Sequence, residues 1–274
     1  MNISTSSLQL EIASFRGQTL ASLIGALDGN QPASFADVLG NLSADGRNPA
    51  LRDPESAYRM MSKINGFEVS FKAQYAELSA LGDAVGYMEA VGAKLGDDIG
   101  LTTANADIIA RLQAFVDEYN AWEDRFDHTV EAGGVLDNVQ AAEVALFELE
   151  QSIRSIFNGA AEGVNGLGAL GIEIDPVTRQ AVLDVGRLEA MLASNKEGVV
   201  SAIDQFSANF AKSADLLNAE GNFIPNALDN RDRAIDYVAS NRASLQEEFG
   251  TGDAAQPTDD IARALMAYES TFGI

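Results

Sequence analysis

Between Pro54 and Pro176 the chain contains no proline. The first part of that interval carries a heptad seam, which constrains the fold more than any other feature. Ile64, Phe67, Phe71, Gln74, Leu78, Leu81, Val85, Met88, Gly92 and Leu95 follow alternating steps of three and four, and eight of the ten are apolar. Asp53 is placed to accept orphan amides at a helix start, and Pro54 sits at the first helical position, where a missing N–H costs nothing. The pattern predicts one helix over about 54–96, roughly 60 Å long at 1.5 Å per residue. A stripe of that length needs a second long helix to cover it.

The C-terminal region supplies one. From Pro225, Leu228, Arg231, Ile235, Val238, Arg242, Leu245 and Phe249 keep the same spacing, with the arginines able to lay their stems along the seam and keep their charges in water. Two further amphipathic helices lie between. Ile108, Leu112, Phe115, Tyr119, Trp122 and Phe126 form one stripe, and Val139, Ala142, Leu146, Leu149, Ile153 and Ile156 the other. The short link through Ala132, Gly133 and Gly134 makes them an antiparallel hairpin.

The expected fold class is mainly α. It is an elongated helical bundle with a long N-terminal/C-terminal coiled-coil pair and one small β-hairpin. Three regions are expected: a loosely organised helical segment over 1–52, a helical core over 53–250, and a C-terminal helix or tail over 251–274. In the first, Leu8, Ile12, Phe15, Leu23 and Leu27 mark an amphipathic helix, and Ser34 with Asp37 resembles a capping box. In the last, a helix restarts at Thr258 or Asp259 with Ile261, Leu265 and Phe272 on one face. The seam residues Ile64, Phe67, Phe71, Leu78, Leu81, Val85, Met88 and Leu95, with Leu228, Ile235, Val238 and Leu245, are the candidate functional set. They fit either intramolecular core packing or an intermolecular zipper.

Gly166, Gly168 and Gly171 spell GxGxxG, the dinucleotide fingerprint. A cofactor site of that kind needs a strand before the glycines and a helix after them. Here a helix precedes and the strand-like Ile172, Glu173, Ile174 follows, so the stretch reads as a joint and no cofactor is expected. Gly171 leads into the hairpin, Pro176 presets the turn, and Asp184 caps the helix carrying Leu188 and Leu192.

No other motif argues for an enzyme. His128 is the only histidine; it lacks the HExxH spacing of a zinc protease and reads as a solvated helix-end residue. The pairs Asp97/Asp98 and Asp259/Asp260 lack the alternating ligands of a calcium loop, and they suit a helix end and a helix start. There is no cysteine, which removes thiolate chemistry and Cys-based metal sites. A formal charge of -23 opposes binding to nucleic acid or to an anionic membrane surface. No window reaches the ~18 apolar residues of a membrane span, and the N-terminal stretch lacks the basic and apolar regions of a cleaved signal peptide.

Three strings, in order, resemble the flagellar filament cap family, hook-associated protein 2. LysAlaGlnTyrAlaGluLeuSerAlaLeuGly (72–82), continuing to Leu95, is similar to its N-terminal coiled-coil segment. LeuGlnAlaPheValAspGluTyrAsn (112–120) is similar to the PheValAspXTyrAsn string that opens its C-terminal conserved region. LeuGlyIle (170–172), the hairpin, and Asp184, Leu188, Leu192 through Val199 to Phe206 resemble its hairpin and following helix. The resemblance implies a structural axial protein of the bacterial flagellum, held in the cytoplasm before export, passed through the type III channel, and secreted to act outside the cell. It further implies a homo-oligomer, with flagellin or other hook-associated proteins and an export chaperone as partners. The family's large β insertion is replaced here by 97–104, so this would be a shortened form without the outer domains. The alternative is a cytosolic helical export chaperone or adaptor.

Overall fold

The structure is a computed structural model that describes residues 9, 12–14, 46–48, 51, 53–156 and 163–273. The described elements are mainly helical. They are α1 (Pro54–Asp98), α2 (Asn105–Val130), α3 (Gln140–Arg154), a 3-10 turn (Leu167–Leu170), β1 (Ile172–Ile174), β2 (Ala181–Leu183), α4 (Val185–Ser194), α5 (Lys196–Asn218), α6 (Phe223–Phe249) and α7 (Asp259–Phe272). The two strands pair antiparallel, with Ile172 opposite Leu183 and Ile174 opposite Ala181.

Local chemistry sets the helix starts. The Asp53 carboxylate accepts the Ser56 amide at 3.0 Å and its hydroxyl at 2.6 Å, which closes the first turn of α1 ahead of Pro54. The Asp184 side chain accepts the Arg187 amide at 3.0 Å, and Asn195 accepts the Gly198 amide at 2.9 Å to start α5. At the other end, Gly273 turns α7 off in a left-handed conformation.

The chain divides into two compact units, one of residues 1–77 and 228–274, the other of residues 78–227. In the first, the early part of α1 and most of α6 run antiparallel, since Glu68 meets Arg242 and Gln74 meets Arg231. Their shared core joins Met61, Ile64 and Phe71 to Ile235, Val238, Leu245 and Phe249, with Tyr268 of α7 and Ile12 also in it. The segment leading to α7 is tied to α1 by Asn65, whose amide donates to the carbonyls of Thr251 and Asp253 at 3.1 and 2.8 Å. Tyr58 adds a bond to the Asp253 carboxylate at 3.0 Å.

In the second unit the later part of α1 packs on α5. Phe210 sits over Gly92, where an added Cβ would lie 2.4 Å from the ring. Ser207 Oγ donates to the Gly92 carbonyl at 2.8 Å and accepts the Gly96 amide at 3.0 Å. Phe115 of α2 packs edge-to-face on both Phe206 and Phe210, centroids 5.2 and 5.3 Å away, and completes an aromatic trio.

Several expectations are corrected. The helix α3 stops at Arg154, so Ile156 lies beyond it and is exposed rather than on the buried stripe. The α2–α3 link is longer than the Ala132–Gly134 turn, running through 131–139 with Leu136 buried. The α7 face of Ile261, Leu265 and Phe272 is extended rather than replaced: Ala264 and Tyr268 are its buried members, Ile261 and Leu265 are half-buried, and Phe272, though partly exposed, packs on Tyr75 and Tyr268 at 5.8 and 4.5 Å. The Arg231 charge is not kept wet: the residue is buried, and its Nε donates to Gln74 Oε1 at 3.2 Å. Of the expected N-terminal helix, Ile12 is buried; Leu8, Phe15, Leu23, Leu27 and the Ser34/Asp37 box lie outside the described residues.

Candidate functional site

The seam residues separate into two groups. Ile64 and Phe71 share one core with Ile235, Val238 and Leu245, while Phe67 packs on it partly buried and stacks on Phe71 at 6.1 Å. Leu228 is half-buried in the same unit. Leu78, Leu81, Val85, Met88 and Leu95 are buried in the other unit, where α1 meets α5 and not α6 along Gly92 and Gly96. The two polar or small residues that interrupt the apolar seam each have a reason. Gln74 accepts from the buried Arg231, and Gly92 leaves room for Phe210.

Charge is handled at the rim of the first core. Burial raises the pKa of Glu68, but hydrogen bonds from Lys72, at 2.9 Å, and from Arg242 outweigh it and hold the carboxyl below its ordinary range. The carboxylate therefore joins successive turns of α1 to α6 as a charged clasp.

The hairpin joint is built as its sequence suggests, and its docking adds what the sequence left unread. Gly171 holds φ at +89°, and a Cβ there would lie 2.9 Å from the Asp184 carbonyl, so a side chain is excluded twice over. Its carbonyl accepts the Asp184 amide at 2.8 Å, closing the base of the hairpin. Asp175 and Pro176 open the turn, and the Asp175 carboxylate accepts the amides of Thr178 and Val177 at 2.9 and 2.8 Å. These bonds, that of Thr178 first, hold the Asp175 pKa below the usual carboxylate range. Strands follow the GxGxxG glycines rather than precede them, the reverse of the strand–glycine–helix order of the dinucleotide fold.

The outer edge of β2 is paired by a side chain. Asn120 of α2 accepts the Ala181 amide at 2.7 Å and donates to the Ala181 carbonyl at 2.9 Å. Beside it, Gln180 donates to Asp124 at 2.9 Å. Arg179, in left-handed backbone at φ 59°, reaches Asp127 at 2.9 Å and Glu150 at 3.1 Å.

Sequence reading missed Asn120, Glu123, Glu150 and Arg179. A signal for two of them existed. Asn120 and Glu123 lie within the α2 stripe, where a polar side chain among Tyr119, Trp122 and Phe126 must find a partner or stay costly. His128 is exposed near the end of α2. Asp98 ends α1 and pairs with Arg111, and Asp259 and Asp260 open α7. Among the described residues no group of three or more histidine, cysteine or acidic side chains is arranged to hold a metal ion, and no helix is long and apolar enough to cross a membrane.

Comparison with protein-family models, curated proteins and solved structures finds no match.

Proposed function

We propose that the chain is a structural protein of the flagellar axial type, resembling the filament cap, and that it acts by helix packing and self-association, without chemistry or a bound cofactor. The observation that carries the reading is the use made of the strings that resemble the family. The string at 112–120 supplies Phe115 to the aromatic core and Asn120 to the hairpin edge, and the hairpin string supplies Gly171 and Asp184 to its closure. Residues that carry the resemblance therefore hold the joint between helices together. The early seam, clasped to α6 through Glu68, supports a role in which a terminal helix pair is the scaffold. As proposed, the chain is secreted through the type III channel and assembles with copies of itself, and with flagellin or other hook-associated proteins, outside the cell.

The second reading, a cytosolic export chaperone or adaptor, draws on a groove of about 220 Å³ between α1 and α2, with Val91, Leu95 and Phe115 in its lining and the exposed Tyr87 at its edge. Secretion separates the two. The axial reading expects the protein in the medium of cells with an intact flagellar export gate and its loss from the medium in a gate mutant. Retention of all the protein in the cytoplasm of gate-competent cells overturns it in favour of the second reading.

A further inference from the structure

Among the described residues, the buried side-chain polar atoms without a hydrogen-bond partner are Tyr119 Oη, Trp122 Nε1 and both carboxylate oxygens of Glu123. All lie within five residues of α2. Buried polar groups normally carry partners, and a carboxylate without donors is the costliest kind to leave bare. Glu123 is 1% exposed. Arg179 Nε lies 3.2 Å from Glu123 Oε1 but is not aligned to donate, so its help is Coulombic only.

The other charged groups around Glu123 are mostly of its own sign. Asp124 and Asp127 follow it on α2. From α3 come Glu150 and the Arg154 that pairs with Glu150 at 2.9 Å, and from the hairpin turn comes Arg179. Arg179 already gives hydrogen bonds to Asp127 and Glu150, so one guanidinium faces three acids. The hairpin turn is thus held to α2 and α3 through a residue whose balance of attraction depends on whether Glu123 bears a charge.

We propose that the Glu123 carboxyl is a proton-operated latch that sets how firmly the β-hairpin is held against α2 and α3. With the proton on, the carboxyl is neutral in its buried site, and Arg179 is shared between its two hydrogen-bonded acids. With the proton off, a carboxylate without donors faces Asp127, Glu150 and Asp124. Those three acids stay on α2 and α3 whatever the hairpin does, so what opening relieves is the burial of the carboxylate: water reaches it as the turn lifts, and that gain outweighs the loss of the Arg179 attraction. The element that yields is the hairpin, two three-residue strands fixed to α2 by Asn120, Gln180 and Arg179. Burial raises the pKa of Glu123, Arg179 pulls it back, and the charges of Asp127, Glu150 and Asp124 raise it again, leaving about 7.

Trp122, the only tryptophan, is a built-in reporter, and the Ala181 amide held by Asn120 reports the hairpin. The test follows Trp122 emission and Ala181 amide protection, corrected for intrinsic exchange, in the full chain through a titration centred at about pH 7. The latch predicts a one-proton emission transition there and a roughly tenfold lower Ala181 protection on its alkaline side. E123Q, which mimics the protonated carboxyl, keeps the acid-side emission and protection throughout. D127N keeps an oxygen for Arg179 but removes a charge, and it moves the midpoint down by on the order of half a pH unit. H128Q leaves the midpoint where it was. The latch is overturned by a transition that survives in E123Q, by one that disappears in H128Q, or by an emission change with flat Ala181 protection. Should E123Q not fold, an unmoved midpoint in D127N overturns it equally.

Discussion

Asn120 holds the outer edge of β2 by both ends of its carboxamide, at 2.7 and 2.9 Å, so one side chain does what a third strand would do. Replacing it with alanine removes both bonds and leaves two backbone groups half-covered and unpaired. Asn120→Ala is expected to lower stability by about 2 kcal/mol, read in urea unfolding followed by Trp122 emission; a loss below the error of the measurement contradicts the role given to it. Glu123 makes a prediction of opposite sense. Its folded pKa of about 7 lies above the ordinary 4.5, so its contribution is fully present below about pH 4.5 and is lost as pH rises through about 7. Glu123→Gln should flatten that slope and, above pH 7, raise stability by about 1–2 kcal/mol once solvent screening on the more open Asp127 side is allowed for. Urea midpoints on either side of the transition, in both proteins, check the sign.

At the scale of elements, the meeting of α1 with α5 depends on the absence of side chains at Gly92 and Gly96, as the meeting with α6 depends on their presence at Ile64 and Phe71. A Cβ at Gly92 would lie 2.4 Å from the Phe210 ring, and a larger group must displace the Phe115, Phe206 and Phe210 trio. Gly92→Val is therefore expected to cost about 1–3 kcal/mol by overpacking. Ile64→Ala, which empties part of a core shared with α6, should cost about 2–4 kcal/mol by cavity formation. Chemical denaturation of each variant checks both. These two sites also show what the sequence could and could not tell. Alternation of three and four from Ile64 to Leu95 was enough to find α1, and Asp53, Asp184 and Gly171 were enough to find its start, a cap and the hairpin base, because each signal is local. Which helix covers which part of the seam was not local. The spacing of Leu228 to Phe249 fits any part of α1 equally well, and only the bulk of Phe210 against the gap at Gly92 decides for α5 along the later part. The docking of the hairpin was hidden for the same reason: Asn120 and Ala181 are 61 residues apart, and nothing in either string names the other.

For the molecule as a whole, the acidic balance of -23 bears on assembly. Copies of such a chain repel one another, and at low salt that repulsion reaches beyond the first contacts. Self-association through apolar helix faces should therefore strengthen as ionic strength rises, which sedimentation at low and at high salt checks; weaker association at high salt points instead to ion pairs between copies. The central proposal, that the work of this protein is to pack against copies of itself, is tested most directly by electron microscopy of the purified chain at physiological salt. The account predicts closed rings or plates built from repeated copies. A field of discrete monomers across the accessible concentration range contradicts it.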